Sequence, residues 1–180
     1  MLVRRRGTME QVDPVADSFR QAMRCFANSV CIVAARSGSE RAGATVTSIC
    51  SVSMEPPSLL ACIHRSSASR NLLHESRYFS ISVLTEEDAQ LADVFAGRTE
   101  HKDWKSKFAF AGARWCEDEN GAPVLQGALA TAVCERQTWL ECGTHSIVIG
   151  EVRSAFAASH WEAPLVYAYG AYTRLANYSF

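Results

Sequence analysis

The sequence predicts a mainly β protein, a closed or sandwiched β core with a few covering helices. Three observations carry this. Short runs rich in Val, Ile, Thr and aromatic residues outnumber stretches with helical periodicity. Turn-forming residues separate those runs at short intervals. The chain also shows no repeat, low-complexity tract or linker, so its 180 residues suit one domain with a real buried core.

Residues 1–12 are expected to form a flexible segment ahead of a single domain over 13–180. Asp13 and Pro14 read as an N-cap and a first-turn proline. Val15, Phe19, Met23 and Phe26 then recur at helical spacing, predicting an amphipathic helix to about Asn28. Residues 30–35 are a short apolar β run, and Ser37, Gly38 and Ser39 turn the chain. Residues 43–57 read as one hydroxyl-rich strand, ended by Pro56 and Pro57, which lack the N–H groups a ladder needs. Residues 59–64 are another buried strand, and the serines from Ser67 onward are free to cap a helix. Residues 78–84 alternate as a strand, and Thr85 to Asp88 approximates a capping box that opens a helix through Leu91 and Phe95. The polar stretch 97–107 predicts an exposed loop, followed by a strand at 111–116 and an acidic turn at 117–122. A long β run covers 125–140, and 146–156 alternates again. Residues 165–172 carry Tyr167, Tyr169 and Tyr172 around Gly170.

Charge and composition exclude several functions. With 18 basic and 19 acidic residues, the net charge of −1 gives no footprint for nucleic acid or a membrane surface. Residues 7–17 are polar where a secretory signal would turn apolar, and no run approaches a membrane span, so a cytoplasmic protein is expected. The seven cysteines form no C-x-x-C pair and read as reduced, packed like small hydrophobes. No metal site is expected, because Cys and His are not clustered at ligand spacings.

Alternation along 43–57 puts Thr45, Thr47, Ile49, Ser51 and Ser53 on one face and Val46, Ser48, Cys50 and Val52 on the other. A row of short uncharged donors and acceptors suits a flat, polar or phosphorylated ligand. A ligand-free Ser/Thr strand would look the same. There is no Gly-x-Ser-x-Gly elbow and no dinucleotide fingerprint. Cys142 and His145 would face opposite ways on one extended strand, which disfavours a thiol nucleophile.

The hydroxyl stretch is followed in order by Ser-Arg-Asn at 69–71, Phe-Ser-Ile-Ser-Val-Leu at 79–84, Phe-Ala-Gly at 95–97 and Lys-Phe at 107–108. Gly-Ala-Pro-Val-Leu at 121–125, His-Ser-Ile-Val-Ile-Gly-Glu-Val at 145–152 and Pro-Leu-Val-Tyr at 164–167 complete the series. Together these resemble the short-chain flavin reductases, the small components of two-component flavin-dependent monooxygenases, over residues 19–175. The resemblance implies a split β-barrel with a Greek-key core and a homodimer with flavin near its interface. It implies hydride transfer from NADH to FAD, or FMN, with the reduced flavin leaving for an oxygenase that hydroxylates an aromatic compound. Such chemistry needs no acid–base pair from the protein.

By the same resemblance, Thr45, Val46, Thr47 and Ser48 would border the isoalloxazine, with Ser51, Val52 and Ser53 beside the ribityl chain or phosphate. Cys62, Ile63 and His64 would form the neighbouring strand. Ser67, Ser69 and Asn71 would bind phosphate, with Lys107 adding charge and Phe108 packing beside it. His145 would hold the nicotinamide, and Tyr167 and Tyr169 are further NADH candidates. The family commonly has Gly-Asp-His where this chain has Gly-Thr-His at 143–145, so a carboxylate that could orient the imidazole is missing. No arginine pair is placed for a 2′-phosphate, which favours NADH over NADPH. Two other readings stay open: the same barrel with a tightly bound flavin reducing another acceptor, and a non-catalytic flavin- or haem-binding module.

Overall fold

A computed structural model describes residues 13–159 and 162–175. The expected flexible segment 1–12 lies outside them. Helix α1 (Pro14–Met23) is capped by Asp13, whose carboxylate accepts from the Val15 N–H. It stops at Met23 and not near Asn28, because Asn28–Ser29 (β1) already pairs with a late strand. Then follow β2 (Cys31–Ser37), β3 (Glu40–Val46), β4 (Ile49–Met54), β5 (Pro57–His64), α2 (Arg70–Glu75) and β6 (Tyr78–Val83). After the Thr85–Asp88 capping box come α3 (Ala89–Phe95) and α4 (Trp104–Ala111). The last strands are β7 (Trp115–Glu117), β8 (Pro123–Leu125), β9 (Ala130–Cys142), β10 (His145–Ala157), β11 (Val166–Ala168) and β12 (Ala171–Thr173).

Seven antiparallel strands form the main sheet, in the order β3-β2-β6-β9-β10-β5-β4. Its two edge strands, β3 and β4, are consecutive in the chain and joined only by Thr47 and Ser48. The sheet must therefore curl until its edges meet, with no β3–β4 ladder across the seam. This is the split barrel that the resemblance implied. The expected single strand over 43–57 is thus two strands on opposite edges, and alternation does not run through Thr47 and Ser48.

Both faces of β2 are buried, which explains its unbroken apolar run. Cys31, Val33 and Ala35 pack with Ile63, Phe79, Ile81 and Val148. The alternate residues Ile32 and Ala34 pack outward against Leu91, Phe95, Phe108 and Trp115 under α3 and α4. Gly150 leaves room for the Phe79 ring to pack against the face of β10. A Cβ there would lie 2.7 Å from Phe79 Cζ and from Cys134 Cβ.

Two further expectations give way. The loop expected over 97–107 ends at Asp103, whose carboxylate caps α4 through the Ser106 N–H. The strand expected at 111–116 is extended only from Trp115, after α4 and a short 3₁₀ turn. Among the described residues no helix is long and apolar enough to cross a membrane.

Candidate active site

The seam of the barrel opens into a cleft of about 220 Å³, lined by Ala44, Thr45, Val46, Thr47, Ser48, Cys62, His64, Ser67, Phe95 and His145. Its position follows from the topology: β3 leaves one edge of the sheet, β4 begins the other, and Thr47 and Ser48 cross between them. The Ser48 carbonyl accepts from Cys62 N–H at 3.0 Å, tying the crossing to β5. The Thr45 hydroxyl donates to Ala92 O at 2.6 Å and anchors α3. The Thr47 and Ser48 hydroxyls make no hydrogen bond to other described residues. Val46 and Ile63 are buried in the core cluster inside the barrel, and of the two only Val46 also lines the cleft.

Two histidines face each other at one end. His64 on β5 is the register partner of His145 on β10, and their rings stand edge to face with centroids 4.9 Å apart. His64 Nδ1 accepts from the Ser66 N–H at 3.1 Å, which places the neutral ring's proton on Nε2. The Thr144 hydroxyl lies 2.9 Å from His145 Nδ1. Threonine thus occupies the orienting position expected of a carboxylate. Its hydroxyl can donate or accept, so it holds the ring without dictating one tautomer. Burial, and next the neighbouring His64, push the His145 pKa below its ordinary value.

Cys142 corrects the sequence argument. Gly143 and Thr144 turn the chain, so Cys142 and His145 are cross-strand partners and share a face. No contact between them forms a thiol–imidazole pair, since His145 Nδ1 is engaged by Thr144. Burial, then Cys142, raise the pKa of the nearby Cys62 thiol, which is the reverse of an activated nucleophile.

The other predicted residues are distributed unevenly. Ser67 lines the cleft and pairs with the buried Ser69 hydroxyl at 2.8 Å; Ser69 makes no side-chain cap on α2. Asn71 is exposed and accepts from Arg70. Ser51, Val52 and Ser53 lie along the outer edge strand β4, and none lines the cleft. Ser53 closes the turn to β5 through Glu55. Lys107 and Phe108 are buried in α4, not in the cleft. Phe108 packs edge to face on Phe95 and at a tilt on Trp115, and Lys107 Nζ sits 4.7 Å over the Trp104 ring. A larger groove, about 460 Å³, lies there between the β2–β3 hairpin and α4, lined by Arg41, Trp104 and Phe108 among others. It shares no lining residue with the cleft that holds the paired histidines.

Thr45 and Thr47 also line an adjoining cleft of about 170 Å³ with Ala96, Arg98, Tyr167 and Tyr172. The Arg98 guanidinium stands 6.0 Å and 5.7 Å from the two tyrosine rings. Burial, then Asp93, push the Tyr172 phenol up to about 12. Tyr169 instead forms the exposed tip of the β11–β12 turn, with φ of 53°. Arg98, Tyr172 and Phe95 are the residues the sequence reading missed. Phe95 belongs to the Phe-Ala-Gly motif at 95–97 and Tyr172 to the tyrosine-rich stretch 165–172, whereas Arg98 was hidden in the polar stretch after Gly97.

The donor set fits a flavin ring and a nicotinamide: uncharged hydroxyls, two imidazoles and one aromatic ring line a single cleft. Among the described residues no three potential metal ligands come together.

Known proteins agree with this geometry. The family model described as "Flavin reductase like domain" matches residues 23–176. The reductase component of the FADH(2)-dependent resorcinol hydroxylase of Rhizobium sp. is 36% identical over 155 residues, 85% of this chain and 83% of the relative. An FMN reductase (NADH), RutF 2, of Methylorubrum extorquens is 37% identical over 85% of this chain and 86% of its own length. The solved structure of the NADH:FAD oxidoreductase SgcE6 of Streptomyces globisporus, with NAD and FAD fragments, superposes with a TM-score of 0.81. Its identity is 29%, covering 95% of this chain and 99% of that one.

Proposed function

We propose that this chain, which belongs to the flavin reductase like domain family, passes hydride from NADH to a diffusible flavin and supplies the reduced flavin to a partner oxygenase. The observation that carries the reading is the seam cleft itself. It offers free hydroxyls, an aromatic wall and a pair of facing imidazoles, and none of the hydroxyls or thiols that line it is hydrogen-bonded to an imidazole. When bound, the nicotinamide and the flavin supply the redox chemistry.

The chain's own work is placement. Thr47, Ser48 and Ser67 hydrogen-bond the flavin's polar edge, and Phe95 closes the cleft against water. His145, held by Thr144, orients the nicotinamide carboxamide over that ring, with His64 at its back. The adjoining cleft, with Tyr167, Tyr172 and Arg98, holds the remainder of NADH. Phosphate-side contacts from Ser51, Ser53, Asn71 and Lys107 remain part of the proposal only where a second subunit or the flavin tail reaches beyond the cleft.

FAD is the proposed flavin, with FMN as the alternative. Support comes from the FADH(2)-dependent system and the NADH:FAD oxidoreductase among the relatives, while RutF 2 is named for FMN. An aromatic hydroxylase is the proposed partner, by analogy with the resorcinol system. A homodimer is supported by α1, none of whose residues is buried in its own chain.

The test is NADH oxidation by purified protein with and without added FAD, FMN or riboflavin. Turnover that appears only with free flavin supports the proposal and ranks the flavins. A yellow protein indifferent to added flavin would favour a bound-flavin enzyme with another acceptor, and no oxidation with any flavin would leave a binding module.

A further inference from the structure

We infer that Glu141, which lines neither cleft, is a positioning residue for the paired histidines, acting as a clamp from the other face of the sheet. Glu141 is the register partner of Ser146, one step along from the Cys142–His145 pair. Side chains alternate, so Glu141 and Ser146 project from the face opposite His145 and His64. There the carboxylate collects four donors. Trp139 Nε1 donates at 2.8 Å and the fully buried Ser146 hydroxyl at 3.0 Å, while Arg70 Nη2 forms a close ion pair and Arg65 Nε lies at 3.4 Å. Arg70 Nε also donates to the Ser146 oxygen at 3.2 Å, closing the network. Trp139 first, then Arg70 and Ser146, hold the carboxyl pKa down to about 2, so it is charged throughout the working range.

The donors come from two different segments. Trp139 and Ser146 belong to the β9–β10 hairpin that carries Thr144 and His145. Arg65 and Arg70 belong to the segment that carries His64 and Ser67. Arg65 also grips the hairpin turn directly: its N–H donates to Thr144 O at 2.9 Å and its Nη1 to Gly143 O at 3.2 Å. One carboxylate thus fixes two guanidinium groups that would otherwise repel, and fixes the two histidine-bearing segments against each other. Thr144 orients the imidazole within its turn, and Glu141 sets where that turn stands. The kinetic consequence rests on the hydride-transfer reading, but the structural one does not.

The experiment compares wild type with Glu141→Gln, Glu141→Ala and Arg65→Gln in steady-state kinetics, thermal unfolding and NMR of the imidazole C2–H signals. Glutamine keeps the size and one acceptor oxygen, for Trp139 or Ser146, and loses the charge and the second acceptor, which becomes an NH2 donor; it guards against loss of folding in the alanine variant. In Glu141→Gln, KM for NADH should rise about tenfold while kcat and the flavin KM stay within about twofold. The His64 and His145 signals should shift in all three variants. Unmoved signals together with an unmoved NADH KM would overturn the clamp. So would a uniform loss of kcat and both KM values in step with melting temperature, which marks a merely structural residue. If wild type reduces no flavin, the functional reading fails, and the imidazole signals alone decide the inference.

Discussion

Gly43 and Phe95 approach so closely that a Cβ on residue 43 would lie 3.0 Å from Cε1 of the phenylalanine ring. The same atom would lie 3.0 Å from the Val33 carbonyl oxygen, which is ladder backbone and cannot yield. Phe95 in turn leans edge to face on Phe108, 5.3 Å between centroids, so it has no easy retreat. Gly43→Ala should therefore cost about 1–3 kcal/mol of stability through overpacking and push Phe95 toward the seam cleft. Denaturant unfolding and flavin KM report the two effects separately. An unaltered midpoint with unaltered flavin kinetics would show that the ring has room.

His145→Ala should raise KM for NADH about tenfold and leave the flavin KM nearly unchanged, the loss of roughly one well-placed contact. Its position against the His64 ring, with the Thr144 hydroxyl on its Nδ1, motivates the asymmetry. Equal effects on both substrates, or none on NADH, would remove it from the nicotinamide site.

The His145 ring should also titrate low. Burial and His64 lower its folded pKa, so the folded chain binds fewer protons than the unfolded chain between that value and the ordinary one, about 6.5. Stability from this group is present above the ordinary pKa and is lost as pH falls through that window. His64→Ala removes one of the two causes, so an NMR titration should find His145 moved upward. A titration that stays put would assign the whole depression to burial.

Hydroxyl substitutions can separate the cleft from the edge strand. Thr47→Val and Ser48→Ala remove the unengaged hydroxyls at the seam and should weaken flavin binding by several-fold each, as lost hydrogen bonds of about 0.5–1.5 kcal/mol do. Ser51→Ala and Ser53→Ala, outside the cleft, should change it less within one subunit. Flavin titration by fluorescence quenching decides. A larger effect at Ser51 and Ser53 would place the phosphate end of the flavin along β4.

Much of the fold was legible because local signals agreed with it. The Asp13-Pro14 cap, the Thr85–Asp88 box and the strands β6 and β10 each have a local cause and each stands where expected, although β6 is buried on both faces. What failed was what the neighbours decide. Hydroxyl alternation over 43–57 gives no sign that the chain changes sheet edges at Thr47, because that change is a property of the curled sheet. Helix α4 was obscured by its charged first turn, although Asp103 and Ser106 carried the cap. Cys142 and His145 were misjudged for want of one two-residue turn at Gly143 and Thr144. Of the site, Thr45 to Ser48, Cys62, His64, Ser67 and His145 were found together. Glu141 was not, since its importance lies in four donors that come from residues 65, 70, 139 and 146.

Helix α1 supplies the last prediction. Val15, Phe19, Met23 and, just beyond the helix, Phe26 form the apolar stripe that the sequence announced, yet all four are exposed, Val15 by 74% and Phe19 by 64%. An amphipathic helix of ten residues gains little from propensity alone and needs a surface to cover its stripe. Burying Phe19 fully would contribute about 1.5–3 kcal/mol, and its neighbours on the stripe similar amounts. A second copy of the chain is the proposed cover. Phe19→Glu combined with Met23→Glu should shift the protein from dimer to monomer in sedimentation velocity. Intrachain packing should survive, because α1 buries nothing against its own core. If the flavin lies near that interface, the monomer should also bind it more weakly. A variant that stays dimeric would move the interface elsewhere and leave α1 to another partner, such as the oxygenase.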